Sequence, residues 1–185
     1  RTDGDITATA AVAFGGFVGQ NGSGKTVLFK SICGFTKLTK GTVEVLGKKI
    51  GTDVDMAENV GAIIETPGFL TNFNAVRNLK FLASLKNTID DKKIMETIRL
   101  VGLDPNSKKK VGKFSMGMRQ RLGIAQAIME DPEILILDEP FNGMDKESVH
   151  FFRNCLLDLK SNEKAIIITS HYQEDMDTLC DLIDL

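Results

Sequence analysis

The sequence predicts an α/β fold in which helices cover both faces of a mainly parallel sheet. Two segments, 134–138 and 165–169, are apolar at almost every position, as parallel strands are when both of their faces are buried. Between them, residues 146–160 place apolar side chains at helical spacing. Alternation of apolar strands with amphipathic helices is typical of α/β domains.

The first third of the chain shows the same alternation. Residues 13–18 are small and apolar and lead into a glycine-rich turn, after which residues 26–33 follow helical spacing until Gly34. Two shorter β-like runs follow at 42–46 and 60–64. The opening residues, rich in Ala and Thr, match a buried strand poorly.

The middle of the chain is predicted to be helical. Apolar residues recur at helical spacing over 74–85 and 90–101. A third helix is expected from an N-cap at Ser115 to about residue 130, because Asp131-Pro132 then ends it.

These segments predict one domain over residues 1–185, a length that fits a single hydrophobic core. We expect its core to consist of about residues 1–65 and 134–185, with a helical subdomain inserted at about 66–133. Both ends of the sequence are abrupt, and we expect the domain to be incomplete there.

Composition excludes some functions. A formal net charge of −2 argues against a large nucleic-acid-binding face, which needs clustered Lys and Arg. No apolar run approaches the ~20 residues needed to cross a bilayer, so we expect membrane contact only through a partner chain. The cysteines, Cys33, Cys155 and Cys180, include no CxxC pair and are predicted to be small buried side chains in a reducing compartment.

One segment carries a phosphate-binding pattern, placed between a predicted strand and a predicted helix. GxxxxGK[ST] is matched by Gly19, Gln20, Asn21, Gly22, Ser23, Gly24, Lys25 and Thr26. The glycines let successive backbone N–H groups turn toward phosphate oxygens, and the following helix adds its positive N-terminus. Lys25 is expected to reach the β- and γ-phosphates, and the Thr26 hydroxyl to ligate Mg²⁺.

Two carboxylates, Asp138 and Glu139, end the apolar strand at 134–138. Open α/β sheets bind their ligands at the carboxyl ends of their strands. We therefore expect Asp138 to hold Mg²⁺, directly or through water, and Glu139 to orient and deprotonate the attacking water.

Three further segments contain motifs that add to the phosphate-binding pattern and the acidic pair. They read FSMGMRQR at 114–121, NGMD at 142–145 and TSH at 169–171. With the P-loop and the acidic pair, they resemble the signature, the D-loop and the switch histidine of the ATP-binding subunits of ABC transporters. The resemblance implies the fold of a P-loop NTPase with a mainly parallel sheet core and an inserted helical subdomain.

The resemblance also implies a mechanism. Two such domains, expected to be copies of this chain, would close head to tail with ATP and Mg²⁺ between the P-loop of one and the signature of the other. Ser115 and Gly117 would contact the γ-phosphate held by the partner, Asp145 would belong to the same nucleotide site, and His171 would bind the γ-phosphate and position water. Closure would drive a separate transmembrane permease, which implies a cytoplasmic subunit on the inner face of the cell membrane.

Three positions depart from the family pattern. Glu65 lies in a segment that resembles the Q-loop but stands where glutamine is usual, and Met116 and Met118 replace the usual glycine and glutamine of the signature. A carboxylate can still ligate Mg²⁺ or water, so we expect Glu65 to keep the Q-loop role. The combination is most similar to exporters of the bacitracin- and lantibiotic-resistance type, which implies export of a peptide or an amphipathic antibiotic.

Two alternatives remain open. One is a soluble ABC ATPase, although Thr26 and Ser115 are too close for the long coiled coil of the repair type. The other is a weakly hydrolysing regulatory subunit, which Glu65 favours and the intact Glu139 opposes. The family also places an aromatic residue upstream of the P-loop to stack on adenine, and none precedes Phe14.

Overall fold

The computed structural model describes residues 6–8, 14–18, 24–86, 88–161, 164–170, 177–180 and 182–184. The strands in this part of the chain are β1 (Ile6–Ala8), β2 (Phe14–Val18), β3 (Val43–Val45), β4 (Lys48–Lys49), β5 (Val60–Ile63), β6 (Ile134–Asp138), β7 (Ala165–Ser170) and β8 (Leu182–Asp184). The α-helices are α1 (Lys25–Ile32), α2 (Ala75–Lys86), α3 (Asp91–Leu100), α4 (Met116–Ile128) and α5 (Lys146–Ser161).

The larger sheet has five strands in the order β5-β6-β7-β2-β8, and every neighbouring pair is parallel. This confirms the predicted parallel α/β core. The strand order places β6, with Asp138 as its last residue, between β5 and β7.

A smaller sheet contains β1, β3 and β4, in that order. β1 is parallel to β3, and β3 forms an antiparallel hairpin with β4. The hairpin turn is Leu46-Gly47, and both residues have positive φ, 50° and 76°, as a two-residue type I′ turn requires. β1 lies within the opening residues, where Ala and Thr suffice for a short strand because the neighbouring β3 supplies the hydrogen bonds.

Helices α2, α3 and α4 follow β5 and precede β6 along the chain. Their starts agree with the sequence signals: Asp90 accepts a hydrogen bond from the Lys93 backbone N–H at 2.8 Å, and Ser115 accepts one from that of Met118 at 3.2 Å. Such caps satisfy backbone donors that the first turn leaves unpaired. Among the helices of the described residues, none has the length and apolar character needed to cross a membrane.

The five-stranded sheet separates two hydrophobic clusters. Alternate residues of β6 point to opposite sides, so Leu135 and Leu137 join the cluster that contains α4 residues, while Ile134 and Ile136 join the one that contains Phe29 of α1. All five residues of β6 are buried. This explains why the strand has no polar residue before Asp138.

Helix α4 approaches the edge strand β5 unusually closely. A β-carbon on Gly61 would lie 2.0 Å from the Ala127 carbonyl oxygen, and one on Gly123 would lie 2.6 Å from Pro67 Cγ. Only glycine fits at either place without a backbone shift. The two contacts join α4 both to β5 and to the segment that follows Glu65.

Candidate functional site

A cleft of about 390 Å³ opens beside the N-terminus of α1, where β5 and β6 end. Its walls include six of the residues predicted from the sequence to form the site: Gly24, Lys25, Thr26, Glu65, Asp138 and Glu139. These residues come from three separate stretches of sequence. The carboxyl ends of parallel strands therefore meet a helix N-terminus here, which is the usual place for a ligand in an open α/β sheet.

The start of α1 is shaped by Gly24, whose φ of 96° lies in the left-handed region. Glycine reaches this conformation without strain, so the chain can turn sharply into the helix. Among the described residues no side chain caps this N-terminus, and its positive end faces the cleft. Of the other predicted P-loop residues, Gly19, Gln20, Asn21, Gly22 and Ser23 lie outside the described residues, as does His171.

Asp138 is the centre of the hydrogen bonding in the cleft. Its carboxylate is buried and accepts two bonds of 2.7 Å, one from the Thr26 hydroxyl to Oδ2 and one from the Thr169 hydroxyl to Oδ1. Both donors are neutral, so the carboxylate keeps its charge free to attract a cation. A magnesium ion prefers carboxylate, hydroxyl and phosphate oxygens, and the adjoining Thr26 and Asp138 oxygens fit that preference.

Thr169 is a site residue to which the sequence analysis gave no role. Its hydroxyl oxygen also accepts a hydrogen bond from the Glu139 backbone N–H at 2.9 Å, and its side chain is fully buried. One hydroxyl thus fixes Asp138 through its carboxylate and Glu139 through its backbone. No local sequence signal marks Thr169, because its position directly opposite Asp138 is set by the β6–β7 register.

Glu65 and Glu139 follow neighbouring strands and share an uncommon backbone conformation. Their φ angles are 61° and 48°, in the left-handed region that non-glycine residues adopt at a cost of about 1 kcal/mol or more. In each case the chain turns sharply just after the strand, so the carboxylate projects into the cleft. The Glu65 carboxylate accepts a 2.7 Å ion-paired hydrogen bond from Lys30 of α1, a contact that the sequence alone did not indicate.

The signature residues lie at the start of α4. Ser115 caps α4 and is exposed, and Gly117 lies in the first turn of that helix. Neither residue lines the cleft, whereas Met116 and Gln120 of the same helix do. Ser115 and Gly117 thus flank Met116 without lining the cleft that contains Lys25 of the same chain.

Asp145 caps the start of α5. Its Oδ1 accepts a hydrogen bond from the Ser148 backbone N–H at 2.8 Å, and hydrogen bonds from Ser148 lower the pKa of the Asp145 carboxyl. Arg121 of α4 donates a 2.7 Å bond to the Ser148 hydroxyl. Asp145 thus lies outside the cleft as well, and through Ser148 it is connected to the signature helix.

The cysteines take no part in the site. Cys33 is buried, and this burial raises the pKa of its thiol to about 12, so the reactive thiolate is absent at neutral pH. Cys155 and Cys180 are only partly buried, which corrects the expectation that all would be core residues. Cys33, Cys155 and Cys180 form no disulfide with one another.

The site combines a parallel sheet, a helix that begins after Gly24, and a hydrogen bond from Thr26 of that helix to Asp138 at a strand end. Together these features define a P-loop nucleotide-binding protein. More narrowly, the family model described as ABC transporter matches residues 10–142, and the chain belongs to this family.

Individual relatives agree with this assignment. An ABC transporter ATP-binding protein of Bacillus subtilis, YybJ, is 44% identical over 90% of this chain and 77% of its own length. The bacitracin transport ATP-binding protein BcrA of Bacillus licheniformis is 39% identical over 92% of this chain. The lantibiotic transport ATP-binding protein SrtF of Streptococcus pyogenes is 34% identical over 90% of this chain and 71% of its own length. The chain spans only 56% of the length of BcrA.

Solved structures support the fold. The dimeric structure of a bacterial ABC transporter cassette matches with a TM-score of 0.80, at 20% identity, over 91% of this chain and 78% of that one. The sheet and inserted helices described above are therefore those of an ABC cassette.

Proposed function

We propose that this chain is the ATP-binding and ATP-hydrolysing subunit of an ABC exporter, and that its hydrolysis requires Mg²⁺. The observation that carries the proposal is the 2.7 Å hydrogen bond from the Thr26 hydroxyl to the Asp138 carboxylate. The bond joins residues 112 positions apart, at a helix start and a strand end where phosphates and a metal ion are commonly bound.

The residues around that bond would divide the binding of Mg-ATP among them. Lys25 and the backbone N–H groups of Gly19 to Gly24 would bind the phosphate oxygens, while Thr26 and Asp138 would hold the metal ion. When bound, Mg²⁺ would neutralise charge on the β- and γ-phosphates. Thr169 would keep Asp138 oriented toward it.

Glu139 is proposed as the general base. The bond from its backbone N–H to Thr169 fixes its position beside Asp138, and its left-handed φ turns its side chain toward the cleft. From there its carboxylate would accept a proton from the water that attacks the γ-phosphate. His171 is proposed to bind the γ-phosphate and position that water, and Glu65 to take the Q-loop role near the metal.

The functional unit is proposed to be a dimer of this chain. Ser115, Gly117 and Asp145 do not line the cleft that contains Lys25. Exposed Ser115 at the start of α4 is well placed to meet an anion presented by another molecule, since a helix N-terminus favours negative charge. We therefore assign these residues to the nucleotide held by a second copy.

A transmembrane permease is the proposed second partner, with the chain on the inner face of the membrane. BcrA and SrtF are named for bacitracin and lantibiotic transport, which supports a peptide or amphipathic antibiotic as the exported cargo. A regulatory subunit that hydrolyses ATP weakly is the second candidate, because Glu65, Met116 and Met118 alter motifs that are usually constant in the family.

An ATPase assay with the permease in membrane vesicles tests the proposal. The parent chain should hydrolyse ATP in Mg²⁺ and stop when EDTA removes the metal. Phosphate release that persists in EDTA would contradict the metal requirement. ATP binding without hydrolysis, even with the permease, would favour the regulatory candidate.

A further inference from the structure

A salt bridge at the wall of the cleft has no part in the function proposed above. Lys30 Nζ lies 2.7 Å from Glu65 Oε1. Lys30 follows Thr26 by four residues on α1, so the two side chains project from the same face of the helix on successive turns. Thr26 reaches Asp138 at the end of β6, and Lys30 reaches Glu65 just beyond the end of β5. One helix face thus holds an acidic residue from each of two neighbouring strands.

The net charge of the cleft indicates a role for the Lys30–Glu65 salt bridge. The charged residues that line the cleft within the described chain are one lysine, Lys25, and three carboxylates, those of Glu65, Asp138 and Glu139. These walls therefore carry a net charge of −2, which opposes the entry of a triphosphate. Lys30 adds a positive charge directly on Glu65, the carboxylate that stands where an uncharged glutamine is usual.

The position of the Glu65 carboxylate also depends on the salt bridge with Lys30. The Glu65 side chain is 62% exposed, so packing does little to fix its direction. Its backbone is in the left-handed region, with φ 61°. The short bond from Lys30, itself only 33% exposed, therefore sets where the Glu65 carboxylate lies.

We propose that Lys30 is the positioning residue for Glu65 in the ATP site. It holds the carboxylate at the wall of the cleft and offsets its charge, so that glutamate serves in a position where glutamine would need no such partner. Without Lys30, an unbalanced carboxylate faces the phosphates and repels them. The inference rests on the proposed function, because it concerns the same site.

Nucleotide binding in four versions of the purified chain tests this coupling: the parent, Lys30→Met, Glu65→Gln and the double variant. The probe is a fluorescent ATP analogue with Mg²⁺ at low salt. Lys30→Met should raise Kd about three- to fivefold, the upper part of the effect of one partly exposed charge pair. Glu65→Gln provides a background without a carboxylate to position, and in that background Lys30→Met should change Kd less than about twofold. Lys30→Arg should restore the parent value, since it keeps the charge.

The result that overturns the inference is an equal loss from Lys30→Met in both backgrounds, because Lys30 would then act through α1 alone. If the melting temperature of Lys30→Met is well below that of the parent, Lys30→Gln replaces it in the same comparison. A parent chain that binds no more nucleotide than Lys25→Ala overturns the proposed function and the inference with it. A parent that binds, without coupling between Lys30 and Glu65, overturns the inference alone.

Discussion

The thioether of Met116 packs against Gly143, with its sulfur 2.2 Å from the point that a β-carbon on residue 143 would occupy. Gly143 also has a φ of 71°. Met116 is the first residue of α4, and Gly143 lies in the loop between β6 and α5. Met116, one of the two methionines that depart from the family signature, therefore joins the signature helix to the loop after Glu139.

This contact predicts how Gly143→Ala behaves. The new β-carbon would displace Met116 and strain the backbone, and we expect a loss of about 1–3 kcal/mol in the free energy of unfolding. Met116→Ala should recover the steric part of that loss but not the part due to φ. Urea unfolding of both single variants and the double variant measures the coupling. Strictly additive losses would show that the Met116–Gly143 contact contributes nothing.

Lys25→Ala removes the positive charge proposed to bind the β- and γ-phosphates. We expect ATP affinity to fall at least about tenfold, as loss of a hydrogen bond to a charged group implies, and turnover to fall below detection. Lys40→Ala, which removes an exposed lysine outside the cleft, is the matched control and should behave as the parent. Equal ATPase rates in both folded variants would remove Lys25 from the site.

Glu139→Gln tests the general base. Hydrolysis should fall about 10²–10⁴-fold, while ATP binding persists because Lys25, Thr26 and Asp138 are unchanged. An ATP-bound dimer should then accumulate and appear by size exclusion with ATP but not with ADP. If the variant turns over ATP at the parent rate, the base lies elsewhere, and His171 is the next residue to test.

Thr169→Val removes both hydrogen bonds that this hydroxyl makes in the site. The Asp138 carboxylate would lose a buried donor, so we expect a loss of about 1–3 kcal/mol in unfolding free energy together with slower hydrolysis. Thr97→Val is the control, because the buried Thr97 hydroxyl donates to the Lys93 carbonyl within α3 and Thr97 does not line the cleft. A Thr169→Val variant that is destabilised but hydrolyses ATP normally would restrict Thr169 to a structural role.

Local patterns predicted the core well. The unbroken apolar run correctly predicts the strand that ends at Asp138, because such a run leaves few other choices. Ser115 correctly predicts the start of α4, because a helix cap is a local signal. Thr169 and Lys30 could not be assigned in this way. Their partners are 31 and 35 residues away, and which strand lies beside which is set by packing of the whole sheet.

The close packing of α4 on β5 holds one end of that helix more tightly than the other. It is clamped near its carboxyl end, where Ala127 rests on Gly61, while Ser115 stands at the other end, about 18 Å away at 1.5 Å per residue. Because Ala127 rests on Gly61 and Gly123 on Pro67, a tilt of α4 about these contacts would move Ser115 more than Ala127. A tilt of about 10° around Ala127 would displace Ser115 by about 3 Å, enough to make or break a hydrogen bond.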